Sequence, residues 1–106
     1  MIARIWHGYT SNANADKYET LLKTEVFPGI ENKNIAGFKS IQLLKRPVGG
    51  EVEFITIMQF TSLEDIKAFT GQDYETAYVP AKAREILARF DDRAQHYEIE
   101  EHRVYG

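Results

Sequence analysis

The sequence predicts an α+β domain in which a four-stranded antiparallel sheet carries helices on one face and leaves a second apolar face open. Strand-like runs and amphipathic stripes succeed one another in the order β-α-β-β-α-β. The strand-like runs are apolar on both faces, where a half-solvated sheet would alternate apolar with polar. With 106 residues, 43% of them hydrophobic, residues 1–106 are expected to build a single domain around one core.

The first strand spans Ile2 to Thr10, rich in β-branched and aromatic residues, and Ser11-Asn12-Ala13-Asn14 then offers helix-capping side chains. A helix over about residues 14 to 27 follows from the recurrence of Tyr18, Leu21, Leu22 and Val26, and Pro28-Gly29 is expected to end or kink it. Phe38 to Arg46 and Val52 to Phe60 form a hairpin through Pro47-Val48-Gly49-Gly50. Ser62 with Asp65 three residues on resembles a capping box for a short helix carrying Leu63, Ile66 and Phe69, closed by Gly71. Pro80 starts another helix, with Ala83, Ile86, Leu87 and Phe90 on one stripe, and the last strand covers about Ala94 to Glu101.

This order is that of a ferredoxin-like βαββαβ sandwich, and right-handed crossovers put the first and third strands at the centre. On the first strand Ile2 and Trp6 oppose Ala3, Ile5 and Tyr9; on the third, Phe54, Met58 and Phe60 oppose Ile55 and Ile57. Helices cover one face. The other is larger than a soluble monomer tolerates, unless long side chains such as Arg4 and Lys39 screen it, and a second copy is expected to cover it. Such a sheet-on-sheet homodimer buries on the order of 800 Å² or more per partner. Trp6 is assigned to that interface and His7, beside Ile5 and Tyr9, to the helix-covered side.

Several function classes have nothing behind them. A formal charge of -3 gives no basic field for nucleic acid or anionic membranes, and no stretch approaches the apolar length of a membrane span. No cysteine is present to form a disulfide, an iron–sulfur site or a thiolate nucleophile. Met-Ile-Ala-Arg-Ile-Trp-His at the start lacks the apolar core of a secretory signal, so the cytoplasm is the expected location. There is no phosphate loop, nucleophile elbow or His-Glu helix pair. His96, Glu98, Glu100 and His102 share one strand face, but alternate positions lie about 7 Å apart, too far to chelate one ion easily, and no metal is expected.

Ile5-Trp6-His7-Gly8, Ala68-Phe69-Thr70-Gly71 and His96-Tyr97-Glu98-Ile99, with the segment from Asp73-Tyr74 through Val79-Pro80 and then Ala83 to Phe90-Asp91, resemble the antibiotic biosynthesis monooxygenase (ABM) domain family over nearly the whole chain. The resemblance implies a dimeric α/β barrel with a ligand cavity between helices and sheet in each subunit. It also implies relatives that are cofactor-independent quinone-forming monooxygenases, haem-degrading enzymes, or proteins of other roles. The haem-degrading branch uses an Asn on the first strand and a Trp and a ligating His in the second helical region. The resemblance sets His7, Phe69 and Val79 at those places, a departure at all three that argues against haem chemistry of that type.

The chemistry left open is oxygenation without a cofactor, in which a base removes a proton from an activated phenol or carbon acid and the resulting anion reduces dioxygen. His7 is the candidate base, because an imidazole titrates near neutrality, and His96 on the last strand is the second candidate. The bland alternative for both is a buried histidine satisfied by a hydrogen bond. Phe60, Phe69, Tyr74 and Tyr78 are the candidate substrate-binding residues, able to line an aromatic pocket for a small planar molecule, or else to serve as ordinary core. The alternatives to a monooxygenase are a non-catalytic ligand-binding or stress-related dimer, and a proton-transfer isomerase or decarboxylase on the same scaffold.

Overall fold

The computed structural model describes residues 1–106. Its elements are β1 (Ile2–Ser11), α1 (Ala15–Leu21), α2 (Phe27–Glu31), β2 (Phe38–Val48), β3 (Glu51–Phe60), α3 (Leu63–Thr70), α4 (Ala81–Ile86), β4 (Arg89–Phe90) and β5 (Gln95–Glu98). Every strand pair is antiparallel, in the order β2-β3-β1, and β4 and β5 both lie along the free edge of β1. The expected last strand, about Ala94 to Glu101, is shortened to β5, and β4 precedes it along the same edge, in a stretch the sequence assigns to helix. Between them the chain turns away to meet the loop before α4: Ala77 N–H donates to Asp92 O at 2.9 Å and Ala94 N–H to Glu75 O at 2.8 Å.

Pro28 does not end the first helix. α1 passes through a wide π turn, Leu22–Val26, in which Phe27 N–H reaches back five residues to Leu22 O, and continues as α2 to Glu31. A proline has no N–H to give to the carbonyl four residues back; the widened turn sets it in the first turn of α2, where that loss is harmless. Ser62 caps α3 as expected, with Asp65 N–H donating to Ser62 Oγ at 3.3 Å, but the returning bond differs from a capping box: the Ser62 hydroxyl, not its backbone N–H, donates to Asp65 Oδ2 at 2.7 Å. α4 stops at Ile86, because Leu87 turns extended and Ala88 N–H donates to Tyr9 O at 2.8 Å. Phe90 therefore belongs to a strand, and it packs on Trp6 with ring centroids 6.0 Å apart.

The two faces of β1 are the reverse of the sequence expectation. Arg4, Trp6, Gly8 and Thr10 are buried beneath the helices, while Ile5, His7 and Tyr9 lie on the open face. Register carries this across the sheet: Trp6 stands opposite Thr56, and His7 opposite Ile55. Trp6 is not an interface residue but core, packed with Tyr18, Leu22, Phe54 and Leu87, and its indole N–H donates to Asp91 O at 2.7 Å. A second cluster of Ile30, Met58, Phe60, Ile66 and Phe69 fills the other end of the same layer. The open face has an apolar centre of Ile5, Leu44, Ile55, Ile57 and Tyr97, with Gln42, Gln59 and Gln95 around it. No helix is long and apolar enough to cross a membrane.

Candidate functional site

A cavity lies between the sheet and the helices. β1 supplies Arg4 and Trp6 to its floor, and β3 supplies Thr56 and Met58. Leu22, Val26, Phe27 and Ile30, on the π turn and α2, form the facing wall, and Phe69, Tyr78, Val79 and Pro80 also line the space. Twelve of the fifteen lining residues are hydrophobic. The space not filled by protein atoms, counted out into the open solvent at its edge, is about 480 Å³, and the side chains leave it as a narrow slot.

Its one charged wall residue is Arg4, whose residue surface is only 3% exposed. The guanidinium is held by backbone and imidazole: Nη1 donates to Tyr74 O at 2.6 Å and to His96 Nε2 at 3.0 Å, and Nη2 donates to Thr76 O at 2.8 Å. Its carbon stands 5.6 Å from the centre of the Phe69 ring, within cation–π range. No carboxylate balances the charge, and burial lowers the Arg4 pKa to about 10. A buried cation without a counter-ion is costly, which makes the space beside it attractive to an anion.

His96 is a positioning partner to this arginine. A guanidinium has only donors, so Nε2 accepts and the proton sits on Nδ1, which is buried with no hydrogen-bond partner. Burial and then the Arg4 charge lower its pKa from the ordinary value. Tyr74 stands edge-on to the imidazole at 5.3 Å, with its carbonyl on Arg4; its ring is not part of the cavity wall. Phe60 lies behind the wall, 5.9 Å from Phe69, and Tyr78 packs on Phe69 in a tilted arrangement with centroids 4.9 Å apart. Of the four candidate substrate-binding residues, the structure thus places Phe69 and Tyr78 on the cavity and Phe60 and Tyr74 one layer back.

His7 lies outside the cavity. On the open face its Nδ1 donates to Glu53 Oε2 at 3.1 Å, the Tyr9 hydroxyl donates to the same oxygen at 3.1 Å, and Arg46 Nε donates to Oε1 at 2.7 Å. These bonds, Arg46 first, hold the Glu53 carboxyl at about 2. The expectation that His7 points into a pocket under the helices is corrected by the strand parity described above. Nothing in the sequence reading singled out Glu53, and Arg4 entered it only as a long side chain over the open face.

The sheet order, the helices on one face and the cavity beneath them define an α+β sandwich of the ferredoxin-like kind, the fold of ABM-domain proteins. No family model and no curated protein matches the chain, whereas solved structures do. A Bacillus cereus protein described as an antibiotic biosynthesis monooxygenase has a TM-score of 0.66 at 15% identity, covering 98% of this chain and 97% of its own. The haem degrader MhuD from Mycobacterium tuberculosis, solved with two haems bound in its active site, has a TM-score of 0.61 at 21% identity, covering 98% and 100%. An MhuD variant with two manganese protoporphyrin IX molecules per active site has a TM-score of 0.63 at 22% identity over all of both chains.

The walls of this cavity do not fit a haem held by an imidazole or a thiolate. His7 is on the far side of the sheet, His96 has its Nε2 on Arg4, His102 is in the exposed segment after β5, and the chain has no cysteine. The Tyr18 phenol, the buried oxygen on the helix wall, has its pKa raised by burial, which works against a tyrosinate ligand.

Proposed function

We propose that this chain is an ABM-family, monooxygenase-like enzyme that binds a small, flat, anionic aromatic molecule beneath its helices and works as a homodimer joined through the open sheet face. The observation that carries the reading is Arg4, an unpaired buried cation on the wall of an otherwise apolar slot. A guanidinium in such surroundings favours the anionic form of a bound acid and so lowers the pKa of a phenol or carbon acid placed against it. The wall holds no carboxylate and no imidazole free to take a proton, so the substrate must be acidic enough to lose its proton to water on entry. That anion then supplies the electrons. One passes to dioxygen, the radical pair joins as a peroxide, and loss of water leaves a carbonyl: a CH₂ group and O₂ become C=O and H₂O. The apolar walls keep competing water away from the carbanion.

The test is oxygen uptake with a panel of anthrones and hydroquinones. Uptake is expected to be stoichiometric with quinone formed and to fall at least tenfold in Arg4→Met; a panel that binds but consumes no oxygen removes the enzymatic reading. The absence of a base on the wall favours a second reading, a non-catalytic ligand-binding dimer, which predicts that binding without turnover. It counts equally against a proton-transfer isomerase or decarboxylase.

A further inference from the structure

The hydrogen-bond geometry around Arg4 narrows the ligand further. Nη1 gives both of its hydrogens to protein acceptors, Tyr74 O and His96 Nε2, while Nη2 gives one to Thr76 O and Nε gives none. One Nη2 hydrogen and the Nε hydrogen are therefore left without an acceptor, two donors on neighbouring nitrogens of a rigid planar fork. The fork cannot swing to satisfy them elsewhere, because its other hydrogens tie it to a loop and to an imidazole.

We infer that Arg4 is the receptor for a carboxylate, and that the ligand is an aryl carboxylic acid whose ring lies in the slot between Trp6, Phe27 and Phe69. The inference rests on the reading of this cavity as the ligand site and adds to it: the carboxylate takes the two free donors, while the guanidinium charge favours ionisation of the phenol or carbon acid on the same molecule. A carboxylate presents two oxygens at the spacing of two such donors and takes both. A phenolate presents one oxygen and leaves one of the two donors without an acceptor inside an apolar slot, which costs about tenfold in affinity. A phosphate dianion brings a second charge for which the wall, with one arginine and twelve hydrophobic residues, has no partner. His96 acts through Arg4: its Nε2 holds Nη1, so that the donors left for a ligand are on Nε and Nη2.

Trp6 is the only tryptophan and lines the cavity, so its fluorescence reports occupancy directly. The probes are 2-naphthoate, 2-naphthamide and 2-naphthol, which share one ring system and differ in the group offered to Arg4. Naphthoate is expected to quench Trp6 at concentrations at least tenfold lower than either neutral probe, and Arg4→Met is expected to abolish that preference. Arg4→Lys keeps the charge without the fork and is expected to retain only part of it. If all three probes bind the wild type equally, the carboxylate assignment falls while the cavity remains a ligand site. If none quenches Trp6, the cavity reading falls and the assignment with it. The wild-type comparison needs no variant to fold. His96→Gln, which keeps an acceptor for Nη1, is expected to preserve the preference where His96→Leu lowers it, and equal preference in the two would remove His96 from the site.

Discussion

Arg4 Nη1 stands 3.0 Å from His96 Nε2, so that a strand-borne cation uses a neutral imidazole as one of its acceptors. The pair joins β1 to β5 on the helix side of the sheet, and the Tyr74 and Thr76 carbonyls bring the loop before α4 into the same arrangement. A single protonation changes its sense, because a charged imidazole has no lone pair to offer and repels the guanidinium.

That change predicts a pH dependence of stability. The folded His96 pKa is lowered, so the unfolded chain takes up a proton first, and stability falls as pH drops below the ordinary imidazole value of about 6.5. Urea midpoints measured from about pH 7.5 down to about pH 5 are expected to decline in the wild type and to lose much of that slope in His96→Gln. An identical slope in both proteins would place the titration elsewhere.

Glu53 predicts the opposite end of the scale. It is 6% exposed and receives hydrogen bonds from His7, Tyr9 and Arg46, which tie β1, β3 and β2 together on the open face. Glu53→Gln is expected to cost about 1–3 kcal/mol at neutral pH, the range for weakening a buried charged hydrogen-bond network. Its folded pKa of about 2 lies below the ordinary 4.5, so the carboxylate's contribution is present above about 4.5 and lost as pH falls toward 2. The difference between wild type and variant in chemical denaturation should close over that window.

Gly8 tests the packing of the cavity floor. A Cβ there would stand 2.7 Å from the Trp6 ring and 3.1 Å from Leu87 Cδ2, closer than either can accept without moving. Gly8→Ala is expected to destabilise by about 1–3 kcal/mol, the usual cost of overpacking, and to shift Trp6 emission. Unchanged emission and stability would show that the floor yields.

Sequence alone made the order of elements and the doubly apolar sheet legible, because both come from local periodicity. It did not make legible which side of β1 the helices take. No tight turn joins β1 to β3, so nothing local fixes the parity between Trp6 and His7, and a shift of one residue exchanges every side chain between faces. A signal was present in β3: Phe54, Met58 and Phe60 form the bulkier side, whereas the side of Ile55 and Ile57 also carries Glu53 and Gln59. Arg4 was missed for a related reason. Arginine is ordinarily read as a surface residue, and its burial depends on carbonyls some seventy positions away in the chain.

The proposed dimer predicts a mutable assembly. Ile57 lies at the apolar centre of the open face, opposite Ile5 on one side and Gln42 on the other. Ile57→Lys is expected to sediment as a 12.2 kDa chain at concentrations where the unmodified protein sediments at twice that mass, with its far-ultraviolet spectrum unchanged. Equal masses for the two would remove the sheet face from the assembly.

The wide turn at Leu22–Val26 separates two properties that most small sandwiches hold together. It takes one residue more than an ordinary helical turn, and Leu22 and Val26 at its ends both border the cavity. Length added or removed at its outward residues, Lys23 to Glu25, would slide one wall while the strands kept their register. Descendants of this chain could then resize the chamber through the helix and leave the sheet untouched.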